Sequence, residues 1–251
     1  MSAQITIRQR SPFDRKWARI MRKTLRKSLG RFLTLPSYDN LTQSEVDAMI
    51  QTDPMAESYI NLYTDVGVYF AQLQQGQFKS RRIVMDHKDG WTDIWAQQMQ
   101  AYALGEAGAR ITWVTETTRE TVWNTLRTVL NENRQEGISA TTDKIQKELS
   151  KRIGSIERWR AMRIAQTEVL TASNRGGFVA AKSLGIPMVK SWTTGGKDIR
   201  PTHIQAQSDN VSVQMDKPFI VAGIEAMMPG DPALPAEEVI NCKCGVIYDP
   251  V

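Results

Sequence analysis

Apolar residues recur at helical spacing through most of this chain, and give way near its end to short apolar runs between turn residues. Trp17, Ile20, Met21, Leu25, Leu29 and Phe32 step by three and four, with basic residues between them. That pattern predicts an amphipathic helix closed by Gly30 and the Leu35-Pro36 break. Asp53-Pro54 reads as an N-cap and first-turn proline, opening a helix to about Gly76 with Met55, Tyr59, Leu62, Tyr63, Val66, Tyr69 and Phe70 as its stripe. Further helices are predicted over Trp91 to Ala103 and over Glu116 to Glu136, the latter stopped by Gly137. Ser139 then caps a helix carrying Ile145, Leu149 and Ile153, and another runs from about Ile156 to Leu184 before Gly185-Ile186-Pro187. Core packing accounts for all of these stripes.

After Pro187, short strands are predicted over Met188 to Thr193, Val211 to Met215, Phe219 to Val221 and Ile240 to Tyr248, separated by Gly-, Asn- and Pro-rich turns. The fold class is therefore α+β: a mostly helical N-terminal two thirds, then a long helix packed on a small antiparallel sheet. Three segments follow, namely a basic amphipathic arm over 1–35, a helical region over 36–154 and an α+β module over 155–251. No internal repeat or low-complexity tract interrupts them.

Charge is unevenly placed. The net +5 of the 251 residues divides into +9 over residues 1–35 and −4 over the rest. Arg8, Arg10, Arg15, Lys16, Arg19, Arg22, Lys23, Arg26, Lys27 and Arg31 supply the arm's charge against Asp14 alone. Three roles compete for it: a helix docked on the body or a partner with its charge solvated, a nucleic-acid contact, or a targeting presequence. Membrane-surface binding is a lesser fourth. No run approaches a membrane span and no apolar signal segment opens the chain, which predicts a soluble protein of a reducing cytoplasm.

Chemistry concentrates at the C-terminus. Cys242 and Cys244 are the only cysteines, and in a strand residues two apart share a face. They are too close for an unstrained disulfide with each other. His203, one of two histidines, follows the turn Gly195-Gly196-Lys197-Asp198-Ile199-Arg200. Two thiolates and an imidazole are three ligands of the softness zinc takes, with Asp198 or Asp209 as the fourth. The competing reading makes the cysteines two small buried hydrophobes and His203 a locally hydrogen-bonded side chain. The other histidine, His87, lies in a polar turn with Asp86 and Asp89, a solvated turn before a cation site.

One order of features stands out: Arg160-x-x-Arg163-Ile164-Ala165-x-Thr167-Glu168 and Ala172-x-Asn174, then Trp192, then Asp198-x-Arg200-x-x-His203, then Pro229-Gly230-Asp231 and Asn241-Cys242-x-Cys244. Over roughly residues 110–251 it resembles the phage Mu F-like minor head proteins, the head morphogenesis family. The resemblance implies a minor structural component of a tailed-phage head, in the virion and in the host cytoplasm during assembly. It implies partners in the portal protein, capsid or scaffold proteins, and double-stranded DNA met during packaging or ejection, with no membrane. The arm residues Arg15, Lys16, Arg19, Arg22, Lys23, Arg26, Lys27 and Arg31 would then contact DNA or an acidic partner. Cys242, Cys244, His203 and Asp198 would form the zinc cluster, organised by Arg200, Glu168, Asn241 and Trp192. Where many such proteins carry a second cysteine pair and a histidine before Cys-x-Cys, this chain has Asp198 to His203 and Glu238-Val239-Ile240-Asn241. A hydrogen-bonded remnant of Asp198, Arg200, His203 and Asn241 is the alternative to metal.

Enzyme signatures argue for no catalysis. Glu168 with His203 and the cysteines evokes the zinc deaminases, but that chemistry uses His-x-Glu and Cys-x-x-Cys, and neither occurs. There is no phosphate loop, Gly-x-Ser-x-Gly elbow or His-Glu-x-x-His helix. Glu168 is more simply an ion-pair partner for Arg163 or Arg200, or a cap for a neighbouring turn. The alternatives to a head protein are a metal-dependent enzyme or toxin-like module acting on nucleotide or peptide, and a generic nucleic-acid-binding protein.

Overall fold

The structure, a computed structural model, describes residues 3–83, 90–105, 108–135 and 141–251. Gly137, Ser139 and the Asp86, His87, Asp89 turn lie outside the described residues. Six helices come first: α1 (Ala3–Ser28), α2 (Gln43–Met49), α3 (Asp53–Ser80), α4 (Trp91–Leu104), α5 (Gly108–Gln135) and α6 (Thr142–Ser183), with a 3₁₀ turn at Phe32–Thr34. Then follow β1 (Met188–Thr193), α7 (Pro201–Asp209), β2 (Val213–Gln214), β3 (Phe219–Val221), β4 (Ile224–Ala226), α8 (Ala236–Val239) and β5 (Gly245–Pro250). The expected α+β class, with a long helix against a small antiparallel sheet, is what the chain adopts.

The amphipathic stripe of α1 is buried. Trp17, Met21 and Leu25 enter one core with Tyr59, Leu62 and Val66 of α3 and with Ala161, Ala165 and Ala172 of α6. Arg15, Lys16, Arg19, Arg22, Lys23, Arg26, Lys27 and Arg31 remain exposed. Of the competing roles for residues 1–35, a helix docked on the body is the arrangement observed. α3 and α6 cross where Gly67 and Gly176 meet backbone to backbone: a Cβ on Gly176 would lie 2.1 Å from the Gly67 carbonyl oxygen. Only the absence of side chains allows that approach. A second cluster joins Leu29, Phe32 and Val46 to Val122 and Leu126 of α5 and to Ile145, Leu149 and Ile153 of α6.

Several boundaries differ from those the sequence predicts. The separate helices expected on either side of residue 154 are one 42-residue helix, α6. Glycine inside a helix costs only about 1 kcal/mol relative to alanine, and buried Ile153, Glu157 and Ala161 hold the chain helical on both sides of Gly154. Helix α5 starts at Gly108 rather than Glu116. The strand expected over Ile240 to Tyr248 begins only at Gly245, so both cysteines precede it, and the strand expected over Val211 to Met215 shrinks to two residues. Two short helices, α7 and α8, occupy segments expected as turn and loop.

The sheet is antiparallel with order β2-β1-β5, and a β3-β4 hairpin packs beside it. Lys190 of β1 stands opposite Tyr248 of β5 and Val213 of β2. Tyr248 and Met188 join Phe178 and Ala181 of α6 in the main core. Trp192, Phe219, Val221 and Leu234 gather on Cys242 and Cys244 in a core of their own.

Candidate metal centre

His203 reaches its position because Pro201 starts α7 at the first helical place, where its missing N–H costs nothing. One turn in, the imidazole is buried, and the Trp192 ring meets it edge-on at 5.7 Å. Opposite, α8 ends at Val239, capped by Ile240, and Asn241 takes a left-handed conformation (φ 59°) that turns the chain back, the Cys242 N–H donating to Val239 O at 3.1 Å. Asparagine tolerates that conformation better than most residues. Cys242 and Cys244 therefore converge through a turn rather than through strand alternation, and the Cys244 N–H donates to Cys242 Sγ at 3.4 Å. Both are free thiols.

His203 Nδ1 lies 3.7 Å from Cys242 Sγ and 3.3 Å from Cys244 Sγ. An ion bound tetrahedrally by thiolate and imidazole would set nitrogen and sulfur about 3.6 Å apart, from the usual zinc bond lengths. The three donor atoms all fall within 4.8 Å of one another, and all three residues are buried. On the far side of the ring, Glu238 Oε2 stands 2.9 Å from Nε2, off the line a hydrogen bond needs. With an ion bound, a carboxylate there would hold the proton on Nε2 and leave the Nδ1 lone pair to the ion, as a metal-ligating histidine requires. The donors fit three positions around an ion, and the cluster can hold a metal.

Asp198 does not join them. It is exposed at φ 57°, and Asp209 is exposed and accepts from Gln205 instead. Among the described residues no other His, Cys, Asp or Glu enters the group. Arg200 acts through the backbone, donating from Nη2 to Ile240 O and so tying the start of α7 to the cysteine turn. Asn241 contributes its conformation, with its side chain outside. Trp192 is wall and floor.

Glu168 lies elsewhere. It accepts from Tyr63 Oη at 2.6 Å and from Arg110 at 3.3 Å, pairing with neither Arg163 nor Arg200. Burial works most strongly on Arg110 and lowers its pKa, but the Glu168 carboxylate and the Tyr63, Tyr102 and Tyr59 hydroxyls together outweigh it, so the guanidinium is held charged. Burial and then the same carboxylate push the Tyr59 and Tyr63 hydroxyls well up. Arg110 and Thr171 also donate to Gly230 O, while Asn174 donates to Pro229 O and Cys244 O. The residues of the Thr-Glu, Asn, Pro-Gly-Asp and Cys-x-Cys motifs thus share one network that docks the 229–231 loop and the cysteine turn on α6.

Arg10 is the functional residue the sequence hides. Only 5% exposed, it donates from Nη1 to Cys244 O at 3.2 Å and from Nη2 to Asn174 Oδ1 at 2.9 Å. Burial lowers its pKa to about 10, against the pull of the Cys242 thiolate, so it stays cationic at neutral pH. The Cys242 thiol is drawn down to about 5, chiefly by hydrogen bonding from Cys244, with His203 and the Cys244 N–H adding to it against burial. Cys244, donating to that thiolate and buried, is pushed up. One signal was available: Arg10 and Asp14 continue the stripe of Trp17, Met21 and Leu25 backwards in steps of three and four.

No curated protein and no solved structure matches the chain. Residues 124–247 match the family model described as Phage Mu protein F like protein. That segment takes in the C-terminal part of α5, all of α6, β1, His203 and both cysteines. Over residues 124–247, just under half of its length, the chain is therefore similar to the Phage Mu protein F like family.

Proposed function

We propose that the chain is a minor structural protein of a tailed-phage head that associates with portal or capsid during head morphogenesis or DNA delivery, in the virion and earlier in the host cytoplasm. The observation that carries this reading is the family match over the segment bearing the docked motifs and the thiol cluster. A structural rather than catalytic role is supported by Glu168, whose carboxylate is occupied by Tyr63 and Arg110 and stands outside the thiol and imidazole group. Zinc on His203, Cys242 and Cys244 would act as a cross-link between α7 and the C-terminal turn. The exposed basic face of α1 favours double-stranded DNA or an acidic protein surface as a second contact. No helix among the described residues is long and apolar enough to cross a membrane.

Purified heads of the phage that encodes the chain provide the test. Mass spectrometry should find the chain in DNA-filled heads and in portal-containing assemblies, at a copy number far below the major capsid protein. Its absence from both would overturn the proposal.

A further inference from the structure

Helices α5 and α6 run back along each other, and at one end their apolar side chains share a core. There Val122, Leu126 and Val129 meet Ile145, Leu149 and Ile153. Toward the other end, long polar side chains span the gap instead: Arg160 donates to Thr117 O and Oγ1 and to Val114 O, and Arg110 reaches Glu168. The helices enclose a cleft of about 520 Å³ there, closed at one side by Leu234, Val239 and Ile240. From Arg110 to Thr121 on α5, and from Glu168 to Ile156 on α6, it extends roughly 17 Å, or three helical turns.

Its walls are apolar and open to solvent. Trp113 and Trp159 line it while 51% and 59% exposed, large indole surfaces that the folded chain leaves uncovered. Among its lining residues, Thr167 Oγ1 is buried without a hydrogen-bond partner. Its charge is one-sided: three arginines and a single carboxylate line it, and Glu168 is already engaged by Arg110. The Arg163 guanidinium stacks on Trp159 at 4.0 Å, and Arg160 bonds only carbonyl and hydroxyl oxygens. Neither has a carboxylate partner among the described residues. Exposed tryptophans beside uncompensated arginines are the composition of a protein-binding hot spot.

We infer that this cleft is a docking groove for an acidic segment of a partner protein, whose large apolar side chains seat between Trp113 and Trp159 while its carboxylates meet Arg160 and Arg163. Charge complementarity selects the occupant: a basic helix would add like charge at the rim, and an uncharged one would leave the half-buried Arg160 uncompensated. The groove names the chemistry of a partner that the head-protein reading leaves open. It is tested on the purified chain, so either conclusion can fail without the other.

A random displayed peptide library, in segments of about 11 residues to span three helical turns, should be selected against the full-length protein. Recovered peptides should pair Asp or Glu with Phe, Leu or Trp, and the best one, fluorescein-labelled, should bind saturably by anisotropy. Arg163→Glu and Trp159→Ala, both at partly solvent-facing positions, should each weaken it by about tenfold or more with unchanged circular dichroism, and Arg163→Lys should restore most of the loss. Recovery of no binder, of peptides without acidic bias, or of peptides indifferent to both variants would overturn the groove. Labelled oligothymidylate is the other arm: if it binds with the same dependence on Trp159 and Arg163, and displaces the peptide, the cleft is a single-strand nucleic-acid site and the proposal is wrong.

Discussion

At the residue scale, two thiols one residue apart carry unequal protons. Cys242 lies at about 5 against an ordinary 9.0, while Cys244 is raised. A depressed folded-state pKa contributes stability that is fully present above the unfolded value and lost as pH falls through the folded one. In chelator-treated protein, the Cys242 contribution should therefore fade between about pH 9 and pH 5. Urea midpoints measured across that range should show the slope in the wild type and lose it in Cys242→Ser. A slope retained in the serine variant would assign the dependence to another group. With zinc present the same substitution should lower the melting temperature, and elemental analysis should fall from near one zinc per chain; equal melts with and without chelator would leave the cluster as thiol, imidazole and guanidinium alone.

At the element scale, α6 is the spine, and its two telling glycines behave oppositely. Gly176 faces the Gly67 backbone, so Gly176→Ala should force α3 and α6 apart and cost about 3 kcal/mol or more, as overpacking of a tight core does. Gly154, with nothing within 4 Å of an added Cβ, should gain stability as alanine, by up to about 1 kcal/mol. Chemical denaturation of the two variants side by side tests both signs. Periodicity alone showed α1, α3, α4 and the stripes of α5 and α6, because burial on one face of a helix is written locally in steps of three and four. It did not show that α6 continues through Gly154, since continuity there depends on packing partners far away in the chain. The short helices α7 and α8 were likewise invisible: nine and four residues leave no period to read.

At the scale of the whole molecule, the N-terminal helix is part of the core and its charge is on the outside. Deleting residues 1–35 removes Trp17, Met21 and Leu25 from the main core and Arg10 from Cys244 and Asn174. The shortened chain should lose cooperative thermal unfolding, and a melt like that of the full chain would contradict the docked arrangement. Surface reversal separates charge from fold: Arg19→Glu, Lys23→Glu and Arg31→Glu together should leave stability nearly unchanged, about 0.5 kcal/mol or less per site. Retention on immobilised double-stranded DNA should drop, and its salt dependence should flatten by about 0.9 in log–log slope for each phosphate no longer neutralised. Unchanged retention would leave the basic face to an acidic protein partner.

What the sequence by itself determined is local or ordinal. The helical periods, the change of pattern after Pro187, the basic stretch and the order of motifs that marks the family are all legible along one dimension. The tertiary structure decided which groups meet. It set Arg10 beside Cys244 while its neighbours stayed in water, drew Glu168 to Arg110, left Asp198 outside the thiol cluster, and opened a cleft where α5 and α6 part. The reason is physical: the cost of burying a charge, or of leaving a tryptophan exposed, depends on what stands opposite it, and that is supplied by residues up to 234 positions away.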